Sequence, residues 1–118
     1  MITTIARWYV ADGQVPHALS ALQSLVEQIQ QTEPDTLIYL VHQPTDQSWP
    51  PAPTTEILFF EAYSDINALN HHLERWEAFL KQNPDLFIPD ANKNPFFLAE
   101  SLTRVAGFIR PSAYGAEQ

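Results

Sequence analysis

The sequence predicts a single α+β domain: a four-stranded antiparallel sheet carrying two helices, in the order βαββαβ. Three observations point there. Four short segments alternate apolar residues with a period of two or are rich in β-branched and aromatic residues. Two longer segments repeat apolar residues at helical spacing. Residues that stop or cap elements separate them, and 118 residues leave room for one domain. The domain is expected to span residues 1–110, with long loops at 43–55 and 84–100 and a tail at 111–118.

In the first strand, residues 2–10, Ile2, Thr4, Ala6, Trp8 and Val10 share one face and Thr3, Ile5, Arg7 and Tyr9 the other. Asp12-Gly13 turns the chain, and Pro16 sits where a first-turn proline is tolerated. The first helix follows over VPHALSALQSLVEQIQQ, with Val15, Ala18, Leu19, Leu22, Leu25, Val26 and Ile29 in one stripe; Glu33-Pro34-Asp35 stops it. Residues 36–42 form the second strand. The Pro-rich QPTDQSWPPAPTT cannot pair as a central strand, and residues 56–63 form the third. Ser64-Asp65 caps the second helix, in which Ile66, Leu69, Leu73, Trp76 and Leu80 are placed on one face. Pro84 ends it, residues 84–97 are irregular, and residues 101–109 are assigned to the last strand.

Strands two, three and four are apolar on both faces. Ile57, Phe59 and Tyr63 oppose Leu58, Phe60 and Ala62; Leu102, Ala106 and Phe108 oppose Val105 and Ile109. A sheet wetted on one side alternates apolar with polar residues, and two helices cover only one face. The other face is expected to meet the same face of a second copy, giving a closed homodimer. The alternative is that residues 84–97 fold over it.

Composition excludes several classes. There is no cysteine, hence no disulfide, thiol nucleophile or thiolate-bound zinc. A net charge of −8 with only 6 Lys and Arg, scattered along the chain, argues against a nucleic-acid partner. No stretch approaches the roughly 20 apolar residues of a membrane span, and the opening MITTIARWYV reads as a strand rather than a leader. The cytoplasm is the expected location. His42, His71 and His72 do not form a zinc-ligand set, because the first lies on a strand and the other two point apart. His17 lies off its helix stripe. The three glycines form no phosphate-binding loop.

Residues 61–73, EAYSDINALNHHL, resemble the hallmark of the antibiotic biosynthesis monooxygenase family: a third strand ending Glu-x-aromatic, a Ser/Asp turn, and a helix opening Ala-Leu-x-x-His. The resemblance covers most of residues 2–83 and the last strand. It implies a ferredoxin-like domain paired into a dimeric α+β barrel. Several members oxidise phenols or hydroquinones with molecular oxygen and no cofactor; one branch degrades haem. Tyr63 matches the aromatic that ends strand three, and His72 the histidine of the helix motif. Ala6 stands where haem-degrading members carry Asn, and no histidine follows His72, so no haem or other cofactor is expected.

Cofactor-free phenol oxidation needs a base to form the electron-rich phenolate, and apolar walls to hold the ring and exclude water. At about 100° per residue, His72 lies roughly 80° from the apolar stripe and His71 about 180°. His72 is therefore the candidate base, with Tyr63 the second candidate catalytic residue and His71 facing solvent. Trp8 and Trp76, with Tyr39 and Arg104, are candidate substrate contacts for a small aromatic molecule. Glu61, aligned with the family Glu, is read as the anchor of a buried hydrogen bond. Two functions follow: a monooxygenase acting on a phenolic or quinol-like molecule, or a non-catalytic dimeric barrel that binds a ligand or acts in stress response.

Overall fold

The computed structural model describes residues 1–88 and 98–110. The element order is β1 (Ile2–Tyr9), α1 (Val15–Thr32), β2 (Thr36–His42), β3 (Glu56–Tyr63), α2 (Ile66–Gln82) and β4 (Leu98–Thr103). The strands form one sheet in the order β2-β3-β1-β4, antiparallel throughout. This is the ferredoxin-like arrangement, with both helices on one face. Both central strands bury their helix-facing side: Ala6 and Trp8 from β1, Ile57 and Phe59 from β3. Against them pack Ala18, Leu22, Leu25 and Ile29 of α1, four residues of the predicted stripe. α2 opens on Asp65, whose side chain accepts from the Ala68 N–H at 2.9 Å, occupying one of the free first-turn donors.

Two expectations are corrected. The last strand runs over Leu98–Thr103, not 101–109. Its partner sets its end, since Thr103 pairs with Ile2 and β1 offers nothing beyond. Gly107, at φ +125°, adopts a backbone that side chains rarely do. Val105, Phe108 and Ile109 therefore lie off the sheet and exposed. The second correction is to α2, which turns Leu69, His72 and Phe79 into the core and leaves Ile66 and Leu73 about half exposed. Apolar periodicity treats histidine as polar; here buried carboxylates make its burial affordable.

The connection after α2 returns to the helix side over residues 84–88. Leu86 and Phe87 are buried, the Ala11 N–H donates to the Leu86 carbonyl at 2.9 Å, and Phe87 lies 5.0 Å from Trp8 between ring centres. This stretch does not cover the opposite sheet face. Residues 89–97 and the tail 111–118 fall outside the described residues. The 43–55 loop borders that opposite face, enclosing a groove of about 950 Å³ lined in part by Ile5, Leu40, Leu58, Phe60 and Trp49. No described helix is long and apolar enough to cross a membrane.

Candidate functional site

Glu33 closes α1, its backbone N–H donating to the Ile29 carbonyl at 2.9 Å. A helix C-terminus disfavours an anion, and the α1 last turn has no basic residue. The compensation comes from α2. Arg75 Nε donates to Glu33 Oε2 at 2.5 Å and Nη2 to Thr32 Oγ1 at 2.7 Å. The Thr36 hydroxyl donates to Glu33 Oε1 at 2.9 Å, and His72 Nδ1 lies 3.0 Å from the same oxygen. An ionised carboxylate only accepts, so the network assigns the His72 proton to Nδ1 and leaves Nε2 with a free lone pair.

Nε2 faces Glu61 Oε1 across 3.9 Å, too far for a hydrogen bond. Glu61 comes from the helix-facing side of β3 and accepts a short hydrogen bond from the Tyr63 hydroxyl, two residues along the same face. Burial pushes the Glu61 carboxyl up to about 7; the Tyr63 hydrogen bond opposes this and the negative charge of Glu33 adds to it. Burial pulls His72 below its ordinary value, Glu33 pulls the other way, and Arg75 and His71 reinforce the lowering. At neutral pH this makes His72 an uncharged ring with an open acceptor. Tyr39 and Tyr63 are both pushed up, first by burial and then by the carboxylates, so neither phenol ionises readily.

The His72–Glu61 pair forms one corner of a cavity of about 220 Å³ between α2 and the sheet. The rest of its lining is four aromatic side chains, Trp8, Tyr39, Phe59 and Trp76, with Leu69, Leu73 and Leu80 of α2 and Thr4, Ala6 and Ala99 of the sheet. Trp8 and Trp76 meet edge to face at 4.7 Å, Phe59 and Trp76 at 5.3 Å, and Tyr39 lies 5.0 Å from His72. The cavity is therefore apolar except at its His72–Glu61 corner; two atoms buried behind its lining, Thr4 Oγ1 and Trp76 Nε1, have no hydrogen-bond partner among the described residues.

The structure brings together His72, Trp8, Tyr39 and Trp76 among the residues singled out from the sequence. Tyr63 is fully buried behind Glu61 and does not line the cavity; Arg104 lies on the exposed segment after β4. His71 and His17 are exposed. Sequence reasoning missed Glu33 as a partner of His72 and Glu61 as a wall of the cavity. An uncompensated acid at a helix C-terminus was the available signal for Glu33. For Glu61 it was a carboxylate on the same strand face as Ile57, Phe59 and Tyr63. Among the described residues no group of three or more His, Cys, Asp or Glu is placed to hold a metal ion.

Topology and cavity define the class: a ferredoxin-like α+β domain with its cavity between the second helix and the sheet. The antibiotic biosynthesis monooxygenase profile matches residues 1–81, and the chain belongs to that family. Solved structures agree on the fold. Rv0793 from Mycobacterium tuberculosis superposes with a TM-score of 0.67 at 17% identity, covering 90% of this chain and 96% of that one. A Nitrosomonas europaea protein assigned to the antibiotic biosynthesis monooxygenases gives 0.70 at 18%, covering 90% and 100%. PA3566 from Pseudomonas aeruginosa gives 0.59 at 23%, covering 89% and 94%. No curated protein matches the sequence at a significant level.

Proposed function

We propose that the protein is a cofactor-independent monooxygenase that oxidises a phenolic or quinol-like small molecule with dioxygen. The observation that carries this reading is an aromatic-walled cavity whose ionisable corner pairs an uncharged histidine with a carboxyl poised near neutrality. A ring held between Trp8, Tyr39 and Trp76 presents its hydroxyl to His72 Nε2. Nε2 takes the proton, and the imidazolium is offset by Glu33 at 3.0 Å and Glu61 at 3.9 Å. The phenolate is the better electron donor to dioxygen, and the apolar walls keep water from the intermediate. The overall change balances. A phenol with a free carbon opposite its hydroxyl loses the hydroxyl hydrogen and one ring hydrogen, one oxygen atom enters as the second carbonyl, and the other leaves as water; a quinol, whose second oxygen is already present, takes the new oxygen at another ring carbon, giving a hydroxyquinone and water. Tyr63 acts through Glu61, holding its carboxylate towards His72.

The working unit is proposed to be a homodimer joined through the sheet face away from the helices. Ile5, Leu40, Leu58, Phe60 and Leu102 lie there, with Phe60 and Leu102 more than one-third exposed. A patch of this kind on a single chain is self-complementary and closes by two-fold symmetry.

Oxygen uptake with a panel of phenols and hydroquinones tests the function. Uptake by the purified protein that is lost in His72→Ala is the expected result. No uptake above the uncatalysed rate with any member of the panel overturns it.

A further inference from the structure

Putting oxygen on a ring carbon that carries a hydrogen takes proton transfers beyond the first. Phenolate and dioxygen join at that carbon and leave the negative charge on the outer oxygen. That oxygen must then gain a proton, and the carbon must lose its hydrogen as the O–O bond breaks. The second event needs a base at carbon and an acid at the departing oxygen together, which one side chain cannot supply. Among the described residues lining the cavity only Tyr39, Glu61 and His72 titrate, and burial and the nearby carboxylates push the Tyr39 phenol up. His72 already holds the proton of the substrate hydroxyl. The remaining group is Glu61, on the cavity wall 3.9 Å from His72 Nε2. Its Oε1 accepts from Tyr63, whereas Oε2 makes no hydrogen bond among the described residues, so Oε2 is the oxygen left to carry a proton. Burial raises the carboxyl to about 7, so both of its forms are populated at neutral pH.

We propose that Glu61 is a second catalytic acid–base group, giving a proton to the outer peroxide oxygen and then taking the hydrogen of the ring carbon. This rests on the oxidation reading and deepens it. Protons and electrons balance at each step. His72 takes the hydroxyl proton, and the Glu61 carboxyl protonates the peroxide anion. The Glu61 carboxylate then removes the ring proton, and the electron pair of that C–H bond becomes the new C=O bond. The O–O bond breaks, and hydroxide leaves as water with the proton from His72. Both side chains return to their starting forms, and only dioxygen is consumed beside the substrate. The carboxylate exists between its two transfers, when the neighbouring imidazolium stabilises it.

Hydroquinone as the probe separates the steps. Completed elimination yields hydroxyquinone and water, whereas a peroxide that escapes elimination departs as hydrogen peroxide and leaves the simple quinone. Loss of a general acid–base slows its step about 10²–10⁴-fold. Glu61→Gln is therefore expected to consume oxygen, more slowly, with most of it recovered as hydrogen peroxide. The wild-type protein should give hydroxyquinone and little peroxide, each corrected for the protein-free solution. Hydroxyquinone without peroxide from Glu61→Gln overturns the proposal alone. So does a folded Glu61→Gln without uptake, which would place Glu61 before oxygen addition. Peroxide and quinone as the wild-type products overturn it too, and no wild-type uptake sinks the oxidation reading beneath it. Should Glu61→Gln not fold, the wild-type peroxide share decides. It is expected to rise between about pH 6.5 and about pH 8.5, as the carboxyl, near 7, ionises and can no longer donate. Facing Glu61 are Tyr63 on its own strand, Tyr39 on β2 and His72 on α2, with Glu33 and Arg75 behind His72. The tyrosines are pushed up and His72 is held below its ordinary value, and Thr4, opposite Glu61 on β1, carries no charge. A flat share across that window overturns the proposal.

Discussion

Replacing Glu61 by Gln should make the protein more stable and less active, and the gain should depend on pH in a defined way. The Glu61 side chain is buried, and its carboxyl is pushed from 4.5 to about 7, with burial the largest cause. The folded protein therefore holds this proton more tightly than the unfolded chain does. Stability from the group is fully present below pH 4.5 and declines as pH rises through about 7. At about 1.4 kcal/mol per pH unit the displacement corresponds to about 3 kcal/mol, an upper figure for the ionised protein. Gln keeps the size and an oxygen that can accept from the Tyr63 hydroxyl but never ionises. Urea unfolding at fixed protein concentration should show Glu61→Gln more stable by about 2–3 kcal/mol near pH 8.5 and by nearly nothing near pH 4. His72 contributes the opposite slope, since its lowered value costs stability as pH falls below 6.5, but it is common to both proteins. Turnover on an active phenol should fall, because the imidazolium formed at His72 loses one of its two offsetting carboxylates. Stability gained where activity is lost is the signature of a group retained for function. An equal stability change at both pH values would refute the reasoning, because it would show that Glu61 does not ionise at a cost.

Three further outcomes are expected. Removing the Glu33 charge with Glu33→Gln should lower the His72 pKa further, whereas Arg75→Gln should raise it, because Glu33 favours the charged ring and Arg75 disfavours it. NMR titration of His72 reads both signs, and shifts in the same direction would show that Glu33 does not tune the ring. In turnover assays, His72→Ala should cost the 10²–10⁴-fold typical of a lost general base, while exposed His71→Ala stays within about twofold. Light scattering should find a dimer at micromolar concentration that Phe60→Lys weakens, and a wild-type monomer there would remove the sheet-face assembly.

The order and type of every element were written in the local sequence. Alternation marks β1, β2 and β3, a 3.6-residue stripe marks α1, and Ser64-Asp65 marks the start of α2, because each signal depends only on neighbours along the chain. The end of β4 was not, since it is decided by where β1 runs out of partners at Ile2. Nor was the rotation of α2. Ile66 and Leu73 are as apolar as Leu69, and only the placement of Glu33 and Glu61 beside His72 makes histidine the residue to bury. His72 and Glu33 stand 39 positions apart, a separation no periodicity reports. The sequence by itself determined the fold and named His72, Trp8, Tyr39 and Trp76. The tertiary structure alone decided which carboxylates meet the histidine, which ring nitrogen is left open, and that the aromatic side chains leave a cavity instead of filling it. Those outcomes depend on distances between separate elements, which are set when the sheet and helices pack.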